Sequence, residues 1–485
     1  MAIARGHCPS CGAPIEFAAG SSVAKVCEFC HSTIFRTDRS LEDLGKVAAI
    51  ANVPSLIAVG DEGTLGGRPF RVLGRTQLDH GAGPWDEYYV TYDDGSSWGY
   101  LAYAEGIWYA TSLWPEAPAV PAFGELRIEN DVSFGTAGTL RVAEVKTGSV
   151  VSAEGELSGK VLPGATRRYA DLHGENGAFA TLDYGDETAP VEVFVGRRFA
   201  ESDMQVQALA PRTADKIKTS LIKCPNCGGD IPKLSGERAL RVGCPYCGAV
   251  SDIAAQNVIA QQDRAMATPP IPIGARGTLA GTEYICIAYV RRSTDADGER
   301  FAWEELLLFA EGVGFRWLVK DEASWLFVTP VDLAELDLSG MPRAVRFRGQ
   351  RFGLRNDGLA RVDYVLGEVY WRAEVGETTR AADYVLGKTV LSREESPGEV
   401  RWSLSEPIPW PVVARAFNAP VGGEAARFAS SGGSNTPNAG LVVLIVIGII
   451  LFLIVGAFVN NSQGIGGGYV VGPVYGGSGT YYGGK

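Results

Sequence analysis

Apolar residues along this chain fall into two patterns. Over most of its length they come in short runs with polar residues between them, interrupted about every 8 to 12 residues by turn-forming letters. Thr64-Leu65-Gly66-Gly67-Arg68 reads as strand, Gly-Gly turn and strand. Residues 87–92, Asp93-Asp94-Gly95 and residues 97–102 repeat that pattern, and later hairpins are predicted over 177–199 and 389–408. Strands this short and this regularly spaced predict small β-barrel or sandwich bodies, a mainly β protein. The second pattern is one unbroken apolar stretch without a charge, GLVVLIVIGIILFLIVGAFV at residues 440–459. At about 1.5 Å per residue, a helix of that length crosses the roughly 30 Å of bilayer hydrocarbon, so a single C-terminal transmembrane helix is predicted.

Eight of the nine cysteines form four C-x-x-C pairs in two sets, Cys8, Cys11, Cys27 and Cys30, then Cys224, Cys227, Cys244 and Cys247. A C-x-x-C knuckle supplies two thiolates from one tight turn, and two knuckles joined by a short hairpin close a tetrahedral zinc site. Gly12, Gly228 and Gly248 follow three of the knuckles, where the chain must turn back. A disulfide would need an oxidising compartment, and a redox dithiol would need only one pair. The spacing therefore predicts two zinc ribbons, each holding one structural Zn2+ with no open position for water. His31, beside Cys30, reads as a surface residue next to a complete ligand set, and Cys286, within an apolar run, as a buried small hydrophobe. Reduced thiols and the absence of a signal peptide before the first knuckle point to the cytoplasm.

The two cysteine sets mark a tandem repeat. Cys8 with Cys224, Gly63-Thr64-Leu65 with Gly277-Thr278-Leu279, Gly155-Glu156-Leu157 with Gly367-Glu368-Val369, and Arg168 and Asp171 with Arg380 and Asp383 all match at offsets of about 212 to 217 residues. Ser40 and Asp43 suggest an N-cap for a helix over 41–52, and Asp252 suggests one for a helix over 253–266 that ends before Pro269 and Pro270. The expected order is zinc ribbon 1–38, helical linker 39–57, β domain 58–200, linker 201–219, second ribbon 220–252, helical linker 253–271 and second β domain 272–412. A flexible linker 413–439, the span 440–459 and a Gly- and Tyr-rich tail 460–485 follow. Arg415 and Arg427 precede the span and only Lys485 follows it, which places the N-terminal region in the cytoplasm and the short tail outside.

Gly63-Thr64-Leu65 with Phe70, Trp85-Asp86-Glu87-Tyr88-Tyr89, Asp93-Asp94-Gly95 and Trp98-Gly99-Tyr100-Leu101 resemble the first half of the bacterial domain-of-unknown-function family numbered 4178. Gly367 to Arg372, Ala382-Asp383-Tyr384, Leu391-Ser392-Arg393-Glu394 and Trp402-Ser403-Leu404 look like its second half. The resemblance covers most of 58–200 and 272–410; copy one departs from it at Leu172-His173-Gly174, which puts any site there in doubt. The family carries no settled activity. Its members tend to be encoded beside polyamine-synthase-like proteins and membrane-stress coat proteins, so the resemblance implies a membrane-stress or polyamine-related setting.

Net charge and candidate chemistry narrow the function further. With 44 Lys plus Arg against 56 Asp plus Glu, the net charge is −12, and the ribbons add no strong positive field, so nucleic-acid binding is disfavoured. Trp85 with Glu87, and Trp303 with Glu305, share a strand face at i and i+2. An indole beside a carboxylate could cradle a polyamine or another organic cation, although filling the core is the plainer role for these residues. Asp79-His80 has the composition of a dyad but reads as a loop, and no Walker loop or nucleophile elbow is present. The sequence thus points to a membrane-anchored cytoplasmic binding or scaffold protein with a protein partner, not to an enzyme. A regulatory subunit, or a cation-binding partner of an enzyme, is the alternative.

Overall fold

The computed structural model describes residues 4–37, 40–46, 57–80, 84–104, 107–159, 164–185, 190–207, 221–236, 239–253, 256–263, 268–296, 299–320 and 324–420. The expected span 440–459 and tail 460–485 lie outside these residues, and among the described residues no helix is long and apolar enough to cross a membrane.

Strand alternation builds two barrels with the same topology. In copy one Arg68–Asp79, Pro84–Tyr92, Ser97–Ala104 and Ile107–Leu113 form an antiparallel meander. Ile107–Leu113 then pairs with Glu192–Ala200, and the sheet returns through Ala178–Gly185 and Thr166–His173 to Thr139–Leu157, which closes on Arg68–Asp79. Copy two repeats this path. Thr282–Ala296, Glu299–Ala310, Gly314–Lys320 and Trp325–Val331 are followed around the barrel by Glu399–Pro407, Thr389–Ser396, Thr378–Leu386 and Gln350–Val369, which closes on Thr282–Ala296. The predicted barrel-or-sandwich alternative thus resolves to closed barrels, which leave no edge strand within the wall. Alternate residues of Pro84–Tyr92 divide between two clusters, Tyr88, Val90 and Tyr92 packing with Trp108, and Tyr89 with Tyr100 and Phe194.

One long strand in each copy, Thr139–Leu157 or Gln350–Val369, leaves the barrel and carries the ribbon. Its end pairs with Ala24–Val26 in copy one and with Arg241–Gly243 in copy two. The repeated Gly-Glu-Leu/Val tripeptide sits at this exit. Gly155 and Gly367 have φ of 72° and 81°, and a Cβ there would come within 2.4 and 2.2 Å of the carbonyl oxygens of Leu73 and Ile287. Only glycine permits so close a strand crossing. The following carboxylates hold the ribbon backbone. Glu156 accepts from Ala18 N at 2.6 Å, Ala19 N at 3.3 Å and Ser22 Oγ at 2.5 Å; Glu368 accepts from Leu234 N, and from Ser235 N at 2.9 Å and Ser235 Oγ at 2.5 Å.

Four linker expectations are corrected. Leu41–Lys46 is a strand on Ser32–Arg36, and Asn257–Gln261 a strand on Ala249–Asp252, where helices were expected. The edge of each ribbon offers unpaired backbone groups, and the next segment satisfies them. The presumed caps are used elsewhere. Ser40 closes a turn with Thr37, Asp43 accepts from Gly45 N at 2.9 Å, and Asp252 pairs with Arg241 at 2.9 Å. Met204–Gln207, placed in the linker 201–219, pairs with Glu62–Leu65. Residues 413–417, placed in a flexible linker, belong to or follow the helix Trp410–Ala416, whose Val413 and Ala414 are buried.

The barrels are joined through partly buried hydrogen bonds and ion pairs. Val145 N donates to Gly398 O at 2.8 Å, Arg141 Nη1 donates to Leu336 O at 2.6 Å, Arg393 pairs with Glu129 at 2.8 Å, and Arg372 pairs with Asp79 at 2.7 Å. Trp402 Nε1 also donates to Glu129, at 2.9 Å, and Ala143 packs into an apolar cluster of copy two.

Candidate metal centres and the junction between the barrels

The ribbons bring the predicted cysteines together. Sγ atoms of Cys8 and Cys30, and of Cys11 and Cys27, are 3.7 Å apart; those of Cys224 and Cys247 are 3.7 Å apart, and those of Cys227 and Cys244 3.8 Å. All four ligand atoms of each set lie within 4.8 Å of one another. A tetrahedral site with metal–sulfur bonds of about 2.3 Å needs sulfurs about 3.8 Å apart, whereas a disulfide needs about 2 Å. Both sets therefore fit a metal ion, zinc among them. Burial pushes the Cys244 thiol up to about 12, whereas at Cys247 burial is opposed by the Ala249 N–H and the Asn226 amide, and the thiol is held down at about 7. A divalent cation would ionise such a mismatched set together.

The knuckles turn as their glycines imply, with Gly12 N to Cys8 O and Gly228 N to Cys224 O at 2.8 Å and Gly248 N to Cys244 O at 3.0 Å. His31 occupies this position in the fourth knuckle, exposed, with φ of 60° and its N–H on Cys27 O at 2.9 Å. It does a glycine's work in the turn and leaves the four-cysteine set complete. Cys286 is buried in an apolar cluster, and burial pushes its thiol up.

The two Trp–Glu pairs lie inside the barrels. Trp85 Nε1 donates to Glu87 at 3.4 Å and Trp303 Nε1 to Glu305 at 2.7 Å, with all four residues buried. The cation beside each carboxylate is the protein's own guanidinium. Arg167 bridges Glu87, at 3.3 Å, and Asp183; Arg292 bridges Glu305, at 3.6 Å, and Glu394, at 3.3 Å. Burial pushes Glu305 and Glu394 upward and Arg292 opposes it. An open cradle for a guest cation at Trp85, Glu87, Trp303 and Glu305 is thereby replaced by an internal ion-pair network.

Asp79 and His80 form no dyad. Asp79 holds Arg372 of the other copy, while the half-buried His80 packs on Trp85 with ring centroids 4.8 Å apart, and desolvation pushes its pKa down to about 3.

Sequence reasoning missed the cleft between the barrels. A cavity of about 490 Å³ is walled by Tyr109, Glu144, Asp171 and Phe179 of copy one and by Val331 and Trp402 of copy two. At its rim Arg198 pairs with Asp332, and His173 Nδ1 lies 3.2 Å from Asp332 Oδ1 and 3.0 Å from Arg198 Nη1. Deeper in, Glu144 and Glu399 are direct cross-strand partners. Glu399 is held by Arg401 at 2.5 Å and Lys146 at 3.4 Å, while Asp171 accepts from Thr181 Oγ1 at 2.7 Å. The repeated Asp171/Asp383 landmark was a signal for part of this wall. Nothing local marks Glu144 against Glu399.

The family described as Domain of unknown function (DUF4178) matches residues 58–201 and 272–410, over half of the chain, and the chain belongs to it. No curated protein and no solved structure matches the chain.

Proposed function

We propose that this tandem DUF4178 protein is a membrane-anchored cytoplasmic binding or scaffold protein whose two barrels receive a ligand between them. The observation that carries the reading is the junction cavity, of a size typical for small-molecule sites and lined by polar and aromatic residues of both copies. The ribbons clamp to the long strands through Glu156 and Glu368 and hold one structural Zn2+ each, so their role is to brace the barrels. Residues 440–459 tether the assembly to the cytoplasmic membrane, with the N-terminal region inside and the short tail outside. A membrane-stress or polyamine-related setting is consistent with this arrangement. A second reading, a cation-binding regulatory subunit of an enzyme, is favoured by the carboxylates at the cavity floor.

The test is native mass spectrometry of the full chain taken from its own membranes. A bound small molecule or stoichiometric partner, lost when Val331→Trp fills the cavity, is expected. A bare chain before and after that substitution would refute the ligand-receiving role, and recovery of the full chain in the soluble fraction would refute the anchor.

A further inference from the structure

We propose that the junction cavity binds an organic ammonium ion, an amine carried on an apolar or aromatic body, with Glu144 as the carboxylate that receives its N–H donors. The proposal rests on the reading of the cavity as a ligand site and names its occupant.

Glu144 is 1% exposed and lines the cavity. Its Oε1 accepts from Tyr169 Oη at 3.0 Å, and its Oε2 has no hydrogen-bond partner. Once ionised, a buried carboxylate oxygen without a donor is costly, so an ionised Glu144 calls for a cation that supplies one. The groups facing Glu144 are Glu399 from the other copy, Asp171 and Tyr169 from the neighbouring strand, and Lys146 from its own. Two like charges set directly opposite on paired strands repel, and the nearby cations do not resolve this, because Lys146 and Arg401 both engage Glu399. With Glu144 ionised beside Asp171 and Glu399, and Lys146 and Arg401 opposite them, the inner cluster has one carboxylate more than it has cations, the place an added cation fills.

An organic cation suits this place better than a metal ion or an anion. Among the described residues, the groups of three or more potential ligands with converging atoms are the two four-cysteine sets, so these carboxylates are not gathered for a metal. The volume and the walls of Phe179, Val331 and Trp402 suit a hydrocarbon or aromatic body. An anion would meet Arg198 and Arg401, which are already engaged by Asp332 and Glu399.

Burial, together with Glu399, pushes the pKa of the free Glu144 carboxyl well above the usual carboxylate range. The amine enters as its ammonium form, Glu144 gives its proton to solvent, and an ion pair forms in the cavity. Binding the cation therefore releases protons from Glu144, up to one per cation bound.

The test is titration calorimetry of the full chain in detergent with phenethylamine and hexylamine, each compared with the alcohol of the same carbon skeleton, in two buffers of different ionisation enthalpy. The amines should bind at least about tenfold more tightly than the alcohols. Their heats should differ between buffers in the sense of proton release, and Glu144→Gln should abolish both the preference and the buffer dependence. Because the amine–alcohol comparison is made on the unaltered chain, it stands even if that variant folds poorly. Equal binding of amines and alcohols, or amine binding unchanged by Glu144→Gln, would overturn the ammonium assignment while leaving the cavity a ligand site. Binding by neither amines nor alcohols would overturn both.

Discussion

The two copies place acids in the same positions and neutralise them with an arginine from different strands. Glu87 and Asp183 of copy one correspond to Glu305 and Glu394 of copy two, and each pair shares one guanidinium. In copy one it is Arg167, and the matching position of copy two is Thr379. In copy two it is Arg292, which faces Trp303 as Leu78 faces Trp85 in copy one. The barrel core thus constrains the sum of its charges more tightly than the strand that supplies the cation. An uncompensated buried charge costs several kcal/mol whichever residue leaves it so. The copies also differ in depth, Arg292 being 2% exposed and Arg167 20%.

This contrast can be broken in several places. The largest effect is expected from the two four-cysteine sets that fit a metal ion, one in each copy. Cys11→Ser should remove the metal from the first ribbon and Cys227→Ser from the second, each lowering bound zinc by one per chain and costing on the order of 10 kcal/mol of local ribbon stability. Metal analysis and limited proteolysis would check it. Next comes loss of the shared guanidinium: Arg292→Met should destabilise its barrel by about 3–5 kcal/mol, and Arg167→Met by less because its site is wetter. Chemical denaturation of the two variants should rank them in that order.

The ribbon clamps should cost less. Glu156→Gln and Glu368→Gln each remove a carboxylate that accepts from backbone and hydroxyl donors, a loss of about 1–3 kcal/mol per copy, seen as faster hydrogen exchange in the clamped ribbon segment. The smallest effect is expected at the junction on acidification. Burial works against ionisation of Asp332, but hydrogen bonds with His173 and Arg198 hold its pKa well below the usual carboxylate range. A carboxyl depressed in this way stabilises the folded junction above its ordinary pKa, and the contribution is lost as pH falls below about 4. Asp332→Asn should flatten that part of the pH–stability profile.

What was legible in the sequence was local. The cysteine knuckles, the Gly66-Gly67 hairpin, where Leu65 pairs with Arg68 around φ of 58° and 83°, and the Gly-Glu-Leu/Val landmark each act over a few residues, and the structure gives each a physical reason. The linker strands were misread because capping letters were visible, whereas the ribbon edge that claims Leu41–Lys46 and Asn257–Gln261 was not. Trp85 and Glu87 were correctly placed on one strand face. Their surroundings were not legible, because Arg167 reaches them from 80 residues away in the chain. The junction lies further still beyond local pattern, since Glu144 meets Glu399 only once both barrels have closed.

The claim that the copies are one module with a transferable cation has a direct test. Arg292→Leu combined with Thr379→Arg gives copy two the arrangement of copy one, and its unfolding free energy can be compared with that of Arg292→Leu alone. The double variant should recover most of the stability lost by the single one. A double variant no more stable than the single would contradict the account, because the two acids would then require their arginine on one particular strand.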